Sequence, residues 1–287
     1  MRDFEIINNF DVRQLSTIKI GGTIRKLYRI YTKTGLIEVM KTIRQNEEDY
    51  YVIGGCSKIL FPDTFLRESL IQLCNDYIIE DNNYVLVGAG TPLKKLSSYM
   101  ISKGYQGFEG LLSIPGQVGG AIVNNAGAFK NEISDALVAV TYFDSKKIVE
   151  KRKEKLEFKY RYSCFKNNNY IILEAKFKKN KVNKDELIKL SQENVKKRVN
   201  SQPQNVLTLG STFKNNDKFI ISKELENIGV KGLSLNAIQV SNKHTNFLIN
   251  INNSTQKNFL NILVILRTLV YNKLSYNAEF EVVILRW

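Results

Sequence analysis

The chain is poor in several residue types that ordinarily carry chemistry. It has one histidine, His244, among 287 residues. That excludes most metal centres and any histidine-rich catalysis. Its three cysteines, Cys56, Cys74 and Cys164, lie far apart. An odd count without a close pair excludes a disulfide framework or a zinc site. Apolar runs are short. The longest, from Phe259 to Val270, is interrupted by Asn261 and Arg267, well below the roughly 20 residues that span a membrane. Met1-Arg2-Asp3-Phe4-Glu5 has no apolar stretch behind its charges, so no secretory signal is expected and the cytoplasm is the default location. Acidic residues are also scarce: 28, against 42 Lys and Arg, which leaves a formal charge of +14.

Hydrophobic residues make up 43% and charged residues 24%, ordinary values for a globular protein of about two domains. The basic balance fits acidic partners: nucleic acid, or small polyanions such as nucleotides and phosphorylated cofactors. Lys, Asn and Ile are abundant throughout, so part of the excess is compositional. No nucleic-acid-binding motif accompanies the charge, and no nucleic-acid partner is expected.

Short elements alternate along the first half. Lys26–Tyr31, Tyr50–Ile53 and Tyr84–Val87 read as strands, and Leu36, Ile37, Met40 and Ile43 recur at helical spacing across 35–45. Thr91-Pro92 reads as a helix start with Thr91 as cap and Leu93, Leu96 and Met100 on the apolar face. Leu137–Phe143 and Tyr170–Phe177 are β-rich. Asn183 and Glu186 form a capping box for a basic helix over 184–199. The polar stretch Asn200–Asn205, holding Pro203, marks a domain boundary. Beyond it come a helix near 219–227, a strand at 246–251, a helix at 256–272 and a last strand, Glu279–Leu285.

Glycine is the strongest signal. Seven of the 17 glycines fall between Gly104 and Gly127, around Ser113-Ile114-Pro115-Gly116-Gln117-Val118-Gly119-Gly120-Ala121. No Gly-Lys-Ser/Thr follows, and no strand runs straight into G-x-G-x-x-G, so this is neither a Walker loop nor a dinucleotide fingerprint. Such density lets backbone approach a flat or phosphorylated ligand; the plainer reading is a set of tight turns. Gly54-Gly55-Cys56-Ser57, directly after a strand, is either an anion nest or a simple turn. Arg161, among the aromatics of Phe158–Phe165, is either a carboxylate fork or an ordinary basic-loop arginine. Gly210-Ser211-Thr212-Phe213-Lys214-Asn215 packs hydroxyls, a cation and an amide together. With no histidine nearby in sequence, a serine hydrolase is poorly supported. Glu279 and Glu281 share one face of the last predicted strand.

Together and in order, these segments resemble the UDP-N-acetylenolpyruvoylglucosamine reductase (MurB) family. The likeness runs from about Leu15 to Leu285. It is carried by Thr17–Gly22, Gly54–Leu60, Ile114–Ala121, Asn125–Phe129, Tyr160–Ser163, Gln202-Pro203, Gly210–Asn215, Val240–Phe247 and Glu281-Val282. The Lys-His-x-Asn-Phe segment looks like the shorter family subtype.

The resemblance implies an α+β chain: an FAD-binding fold of the vanillyl-alcohol-oxidase (PCMH) type in two subdomains, 1–70 and 71–199. A C-terminal α+β substrate-binding domain, 200–287, follows, its last strand (279–285) returning towards the active site. It implies non-covalent FAD, NADPH as reductant, and reduction of UDP-N-acetylglucosamine enolpyruvate to UDP-N-acetylmuramate in peptidoglycan precursor synthesis. The alternative is another flavin oxidoreductase of the same fold. By resemblance Ser211 is the proton donor, and Arg161 with Glu281, rather than Glu279, polarises the enolpyruvyl carboxylate. The cofactor residues so implied are Gly54, Gly55, Cys56, Ser57, Lys58, Ile114, Pro115, Gly116, Val118, Gly119, Gly120, Ala121, Asn125 and Gly127. Tyr160, Lys214, Asn215, His244 and Asn246 are implied on the substrate. No metal and no membrane partner are expected from the composition, and of the oligomeric states, which the sequence leaves open, a monomer is favoured. The chain departs from the family pattern at Cys56 and Lys58 (usually Asn), Ser201 (usually basic) and Val283 (usually Arg).

Overall fold

A computed structural model describes residues 2–166 and 168–285. The chain divides into two compact units that are not consecutive in sequence. The first comprises the residues up to Ile7, then Lys26–Gly55 and Glu68–Arg198; the second comprises Asn8–Arg25, Cys56–Arg67 and the chain from Val199 onward. The grouping therefore cuts across the linear segments 1–70, 71–199 and 200–287.

Two sheets underlie the first unit. One has the strand order Phe4–Asp11, Thr23–Ile30, Ser69–Leu73, Tyr50–Ile53, with Ser69–Leu73 parallel to both neighbours for which register is defined. A parallel step needs a crossover. The helix Lys33–Gln45 supplies it, capped by Thr32, whose hydroxyl accepts from Gly35 N at 3.0 Å. Leu36, Val39, Met40 and Ile43 are buried on its inner face, whereas Ile37, expected there, is 44% exposed. The other sheet is antiparallel, in the order Ile148–Arg152, Leu137–Phe143, Ile171–Lys178, Tyr84–Gly88, Ile78–Glu80. One apolar core takes Tyr28, Ile30 and Ile71 from the first sheet and Val85, Val87, Val140, Leu173 and Phe177 from the second.

The helix Leu93–Ser102 buries Leu93, Leu96 and Met100 as its spacing predicts. Thr91 does not cap it. Its buried hydroxyl donates to Tyr77 O at 3.1 Å and accepts from Tyr77 N at 3.2 Å, so a main-chain pairing takes the group the helix end would have used. Asn183 does cap its helix, Lys184–Ser201: Oδ1 accepts from Asp185 N and Glu186 N.

The second unit is built on an antiparallel sheet in the order Thr208–Ser211, Phe247–Asn250, Ile238–Val240, Ser234–Leu235. Helices Ile221–Ile228 and Gln256–Leu274 belong to the same unit. Ile18, Ile20 and Leu60 join Phe213, Leu248, Phe259, Ile262 and Leu266 in its core. Burial of these three residues explains why segments from the first quarter of the chain group with its last third.

The predicted strand over 279–285 is not continuous. Phe280 bridges Phe213, and Lys214 N and Glu281 N donate to Glu279 O and Thr212 O. Val283–Ile284 then pairs in parallel with Ile59–Leu60, and Val283 N donates to Lys58 O at 2.8 Å. The segment changes partner strand at Glu281-Val282.

Candidate active site

In the first unit the fold brings the two glycine signals together. Gly54-Gly55 ends the strand Tyr50–Ile53 and lies against Gly116–Gly120. A Cβ on Gly55 would stand 3.0 Å from Gly116 Cα, and Gly116 itself has φ 115°. Only glycine satisfies both demands comfortably. The loop is pinned from behind: Gly119 N donates to Ala89 O and Val118 N to Thr91 O, both at 2.9 Å. A Cβ on Gly119 would meet Ala89 Cβ at 3.1 Å, so this glycine serves close packing. Gly120 differs, because a Cβ there would meet nothing within 4 Å. Backbone cleared of side chains on the open side and braced on the other is a cradle that suits a flat, phosphate-bearing cofactor. Gln117, which the sequence reading passed over, also reaches it: its Oε1 lies 3.5 Å from where a Gly54 Cβ would stand. Its position between Gly116 and Val118 was the available signal.

Not every residue assigned to this cofactor by resemblance offers a side chain to it. Val118 is fully buried in the core, and Ala121 is 7% exposed. Asn125 is fully buried; its Nδ2 donates to Glu132 Oε2 at 2.6 Å and to Lys159 O at 3.1 Å, and its Oδ1 accepts from Ser134 N at 3.4 Å. That amide is spent on internal bonds. Cys56 is 3% exposed with φ 49°, a left-handed conformation that asparagine adopts more readily. Burial pushes its thiol up to about 12, so it is a packing residue at neutral pH.

Arg161 also lies in the first unit, in the hairpin between Phe158–Lys159 and Tyr162–Ser163. Its φ is 54°, costly for a residue with a side chain. The guanidinium is held all the same: Nη2 donates to Gly127 O at 2.8 Å, and Cζ lies 4.7 Å from the Tyr160 ring centroid. Gly127 sits in a tight pair of strands where a Cβ would come within 2.5 Å of Asn131 O. Gly127 thus acts by offering its carbonyl to Arg161. Tyr160 is 46% exposed and stacks under the guanidinium.

The second unit holds Ser211, Glu281 and Lys58 in one cluster. Lys58 Nζ is 2.8 Å from Glu281 Oε1 and donates to Ser211 O at 2.8 Å. Glu281 has 14% of its side chain exposed, whereas Glu279 has 67% and pairs outward with Lys214 at 2.9 Å. Both glutamates lie along the pairing with Thr212 and Lys214, but only Glu281 stands at the junction where the segment passes to Lys58, so its carboxylate meets that ammonium while Glu279 pairs with Lys214. Lys58, expected with the flavin, meets Glu281 and the Ser211 carbonyl here. Asn246 is buried and brackets Phe213: Phe213 N donates to Oδ1, and Nδ2 donates to Phe213 O, both at 2.9 Å. It braces the strand after Ser211 rather than presenting its amide to a ligand. Asn215 Oδ1 accepts from Ile221 N at 3.0 Å, steadying the start of the helix Ile221–Ile228. His244 packs edge-on to Phe247, with ring centroids 4.8 Å apart. Among the described residues no group of three or more His, Cys, Asp or Glu is placed to hold a metal, and no helix is long and apolar enough to cross a membrane.

Two parts of the chain match known family models. Residues 27–147 match the FAD binding domain family, and residues 202–285 match the C-terminal domain of UDP-N-acetylenolpyruvoylglucosamine reductase. The reductase of Fusobacterium nucleatum subsp. nucleatum is 32% identical over 285 residues, covering 98% of this chain and 100% of the relative. That of Clostridioides difficile is 33% identical over 273 residues, covering 94% of this chain and 90% of the relative. The crystal structure of UDP-N-acetylenolpyruvylglucosamine reductase (MurB) from Thermus caldophilus superposes with a TM-score of 0.84 at 28% identity, covering 99% of each chain. The expected α+β architecture, a flavin-binding fold of the vanillyl-alcohol-oxidase type followed by a reductase-specific domain, is borne out. With identity above 30% over essentially its whole length, the chain belongs to the UDP-N-acetylenolpyruvoylglucosamine reductase family.

Proposed function

We propose that the chain reduces UDP-N-acetylglucosamine enolpyruvate to UDP-N-acetylmuramate, with non-covalent FAD as cofactor and NADPH as reductant, for peptidoglycan precursor synthesis. The observation that carries this reading beyond a generic flavoprotein is the match of residues 202–285 to the C-terminal domain of this reductase, the part of the chain that holds Ser211 and Glu281. Gly54, Gly55, Gly116, Gly119 and Gly120 would hold the cofactor, chiefly by backbone. When bound, the flavin supplies a hydride to the methylene carbon of the substrate.

The chain's own residues handle the charge and the proton. Reduction of the enolpyruvyl double bond leaves negative charge that spreads into the substrate's carboxylate. A guanidinium fixed in advance stabilises that charge more than it stabilises the starting material. Arg161 is assigned this role, and the Gly127 carbonyl and Tyr160 ring keep it from reorganising. The neighbouring carbon needs a proton at short range. Ser211 donates it and recovers one from solvent. A serine hydroxyl is a weak acid in water, so it needs nearby cations to serve. Lys214 and Asn215 follow it in the same segment and are assigned, with Tyr160 and His244, to the UDP-sugar. We assign flavin binding to the chain before residue 200 and substrate binding to 200–287, and take the protein as a cytoplasmic monomer.

The test is NADPH oxidation by the purified, yellow protein with and without the enolpyruvyl substrate. Oxidation that depends on that substrate and yields UDP-N-acetylmuramate supports the reading. A protein that carries flavin yet leaves this substrate untouched would belong to the alternative, another oxidoreductase of the same fold.

A further inference from the structure

Lys58 lies in the segment Gly54–Leu60, which the sequence assigns to the flavin. Its backbone is fixed by the parallel pair Ile59–Leu60 and Val283–Ile284, since Lys58 O accepts from Val283 N at 2.8 Å. That register places it beside Glu281, two residues before Val283. The Lys58 ammonium then meets Glu281 Oε1 and the Ser211 carbonyl, each at 2.8 Å. Three-quarters of the Lys58 side chain is removed from solvent, and more of Glu281. Room for the ammonium comes from Gly210, at φ 72°, where a Cβ would stand 3.4 Å from Nζ.

We infer that Lys58 is a positioning residue for reduction of the substrate double bond: its ammonium, anchored on the Ser211 carbonyl, holds the Glu281 carboxylate in its working orientation beside Ser211. The inference rests on the function proposed above. A charge-assisted hydrogen bond in a largely desolvated setting is directional and strong enough to fix a carboxylate. Removing the ammonium leaves that carboxylate without this counter-charge and the Ser211 carbonyl without this donor. The Glu281 carboxylate would then lose this orientation, while Glu281 N still donates to Thr212 O at 2.8 Å and keeps the two segments paired.

The experiment compares Lys58→Met, Lys58→Arg, Glu281→Gln and the double variant Lys58→Met/Glu281→Gln with the parent, as flavin-loaded enzymes in stopped flow. Flavin reduction by NADPH and flavin reoxidation by UDP-N-acetylglucosamine enolpyruvate are timed separately. Lys58→Met should slow reoxidation by about 10- to 100-fold, the range of a hydrogen bond to a charged group, with flavin content, flavin reduction and apparent substrate affinity near parental. Lys58→Arg should recover a large part of the rate. The double variant should be no more than about threefold slower than Glu281→Gln alone, because Lys58 acts through Glu281. Reoxidation by Lys58→Met within about threefold of the parent overturns the inference. So does a protein that purifies with little flavin, which would return Lys58 to the cofactor, and so do losses that multiply in the double variant. If Lys58→Met does not fold, Lys58→Gln is read by the same criteria, and a second failure to fold gives the residue a purely structural role and overturns the inference. A parent enzyme inert towards the enolpyruvyl substrate would instead overturn the proposed function.

Discussion

The cradle at Gly54–Gly55 and Gly116–Gly120 is made by removing side chains from backbone, and its bracing comes from main-chain bonds to Ala89 and Thr91. The cluster around Ser211 is made by adding side chains: an ammonium, a carboxylate and a buried amide, each tied to main chain or to one another. The first kind of site tolerates little added bulk and is indifferent to charge-conserving changes elsewhere. The second is sensitive to single atoms and charges. Steric and electrostatic sites should therefore fail differently when mutated.

The sharpest way to break that contrast is Ser211→Ala, which removes one oxygen. Reoxidation of the flavin by the enolpyruvyl substrate should fall by about 10²–10⁴-fold, the usual worth of a positioned acid. Reduction of the flavin by NADPH should hardly change. Stopped-flow traces of both half-reactions decide it, and an alanine variant reoxidising within tenfold of the parent would remove Ser211 from the acid role.

Arg161→Lys keeps the charge but loses the fork, and the bond to Gly127 O with it. Turnover should drop by about 10²-fold while the apparent substrate affinity weakens far less, as expected for an interaction realised mainly in the transition state. Steady-state kinetics showing a pure affinity loss would place Arg161 in ground-state binding.

Gly120→Val tests the steric site. Nothing lies within 4 Å of the added Cβ, so the protein should fold with little change in Tm but purify with little flavin. Gly119→Val is the control: its Cβ presses on Ala89 at 3.1 Å, so it should lower Tm first. Full flavin occupancy in the Gly120 variant would move the cofactor elsewhere.

The smallest expected effect lies away from both sites. In the first unit Glu48 is nearly buried and receives Lys26 Nζ at 2.5 Å and the Ser69 hydroxyl at 2.8 Å. Burial pushes its carboxyl up, but the Lys26 ammonium and the Ser69 hydroxyl outweigh that and hold it below the usual range. A depressed carboxyl contributes stability above its unfolded value and loses it as pH falls through the folded one. Glu48→Gln should therefore cost about 1–3 kcal/mol near neutrality, and the gap from the parent should close below about pH 4. Denaturant unfolding at several pH values measures it, and a gap that widens on acidification would contradict the sign.

Sequence alone carried much of this. The helix starting at Thr32 was legible because Leu36, Met40 and Ile43 repeat at its period, and Leu137–Phe143 because β-branched and aromatic residues fill it. The two glycine segments were legible as places of close backbone approach, but their packing against each other was not. Thr91 was misread because a hydroxyl before a helix signals a cap only if no main-chain group captures it first. Ile37 was misread because helical periodicity fixes spacing but leaves the buried arc uncertain by one residue.

What the sequence determined was the inventory: glycines where backbone must be bare, an arginine among aromatics, a serine after a glycine and two glutamates near the end. These are local properties of residue type and spacing. What only the tertiary structure decided was which of them act together. Segments 8–25 and 56–67 join the C-terminal unit because Ile18, Ile20 and Leu60 bury their side chains in its core. Glu281 differs from Glu279 because it stands at the junction where the chain leaves Thr212 for Lys58, whereas Glu279 pairs with Lys214. Lys58 reaches Ser211 across 153 residues of sequence for the same reason. Such pairings come from strand register and burial between distant segments, and no local pattern encodes them.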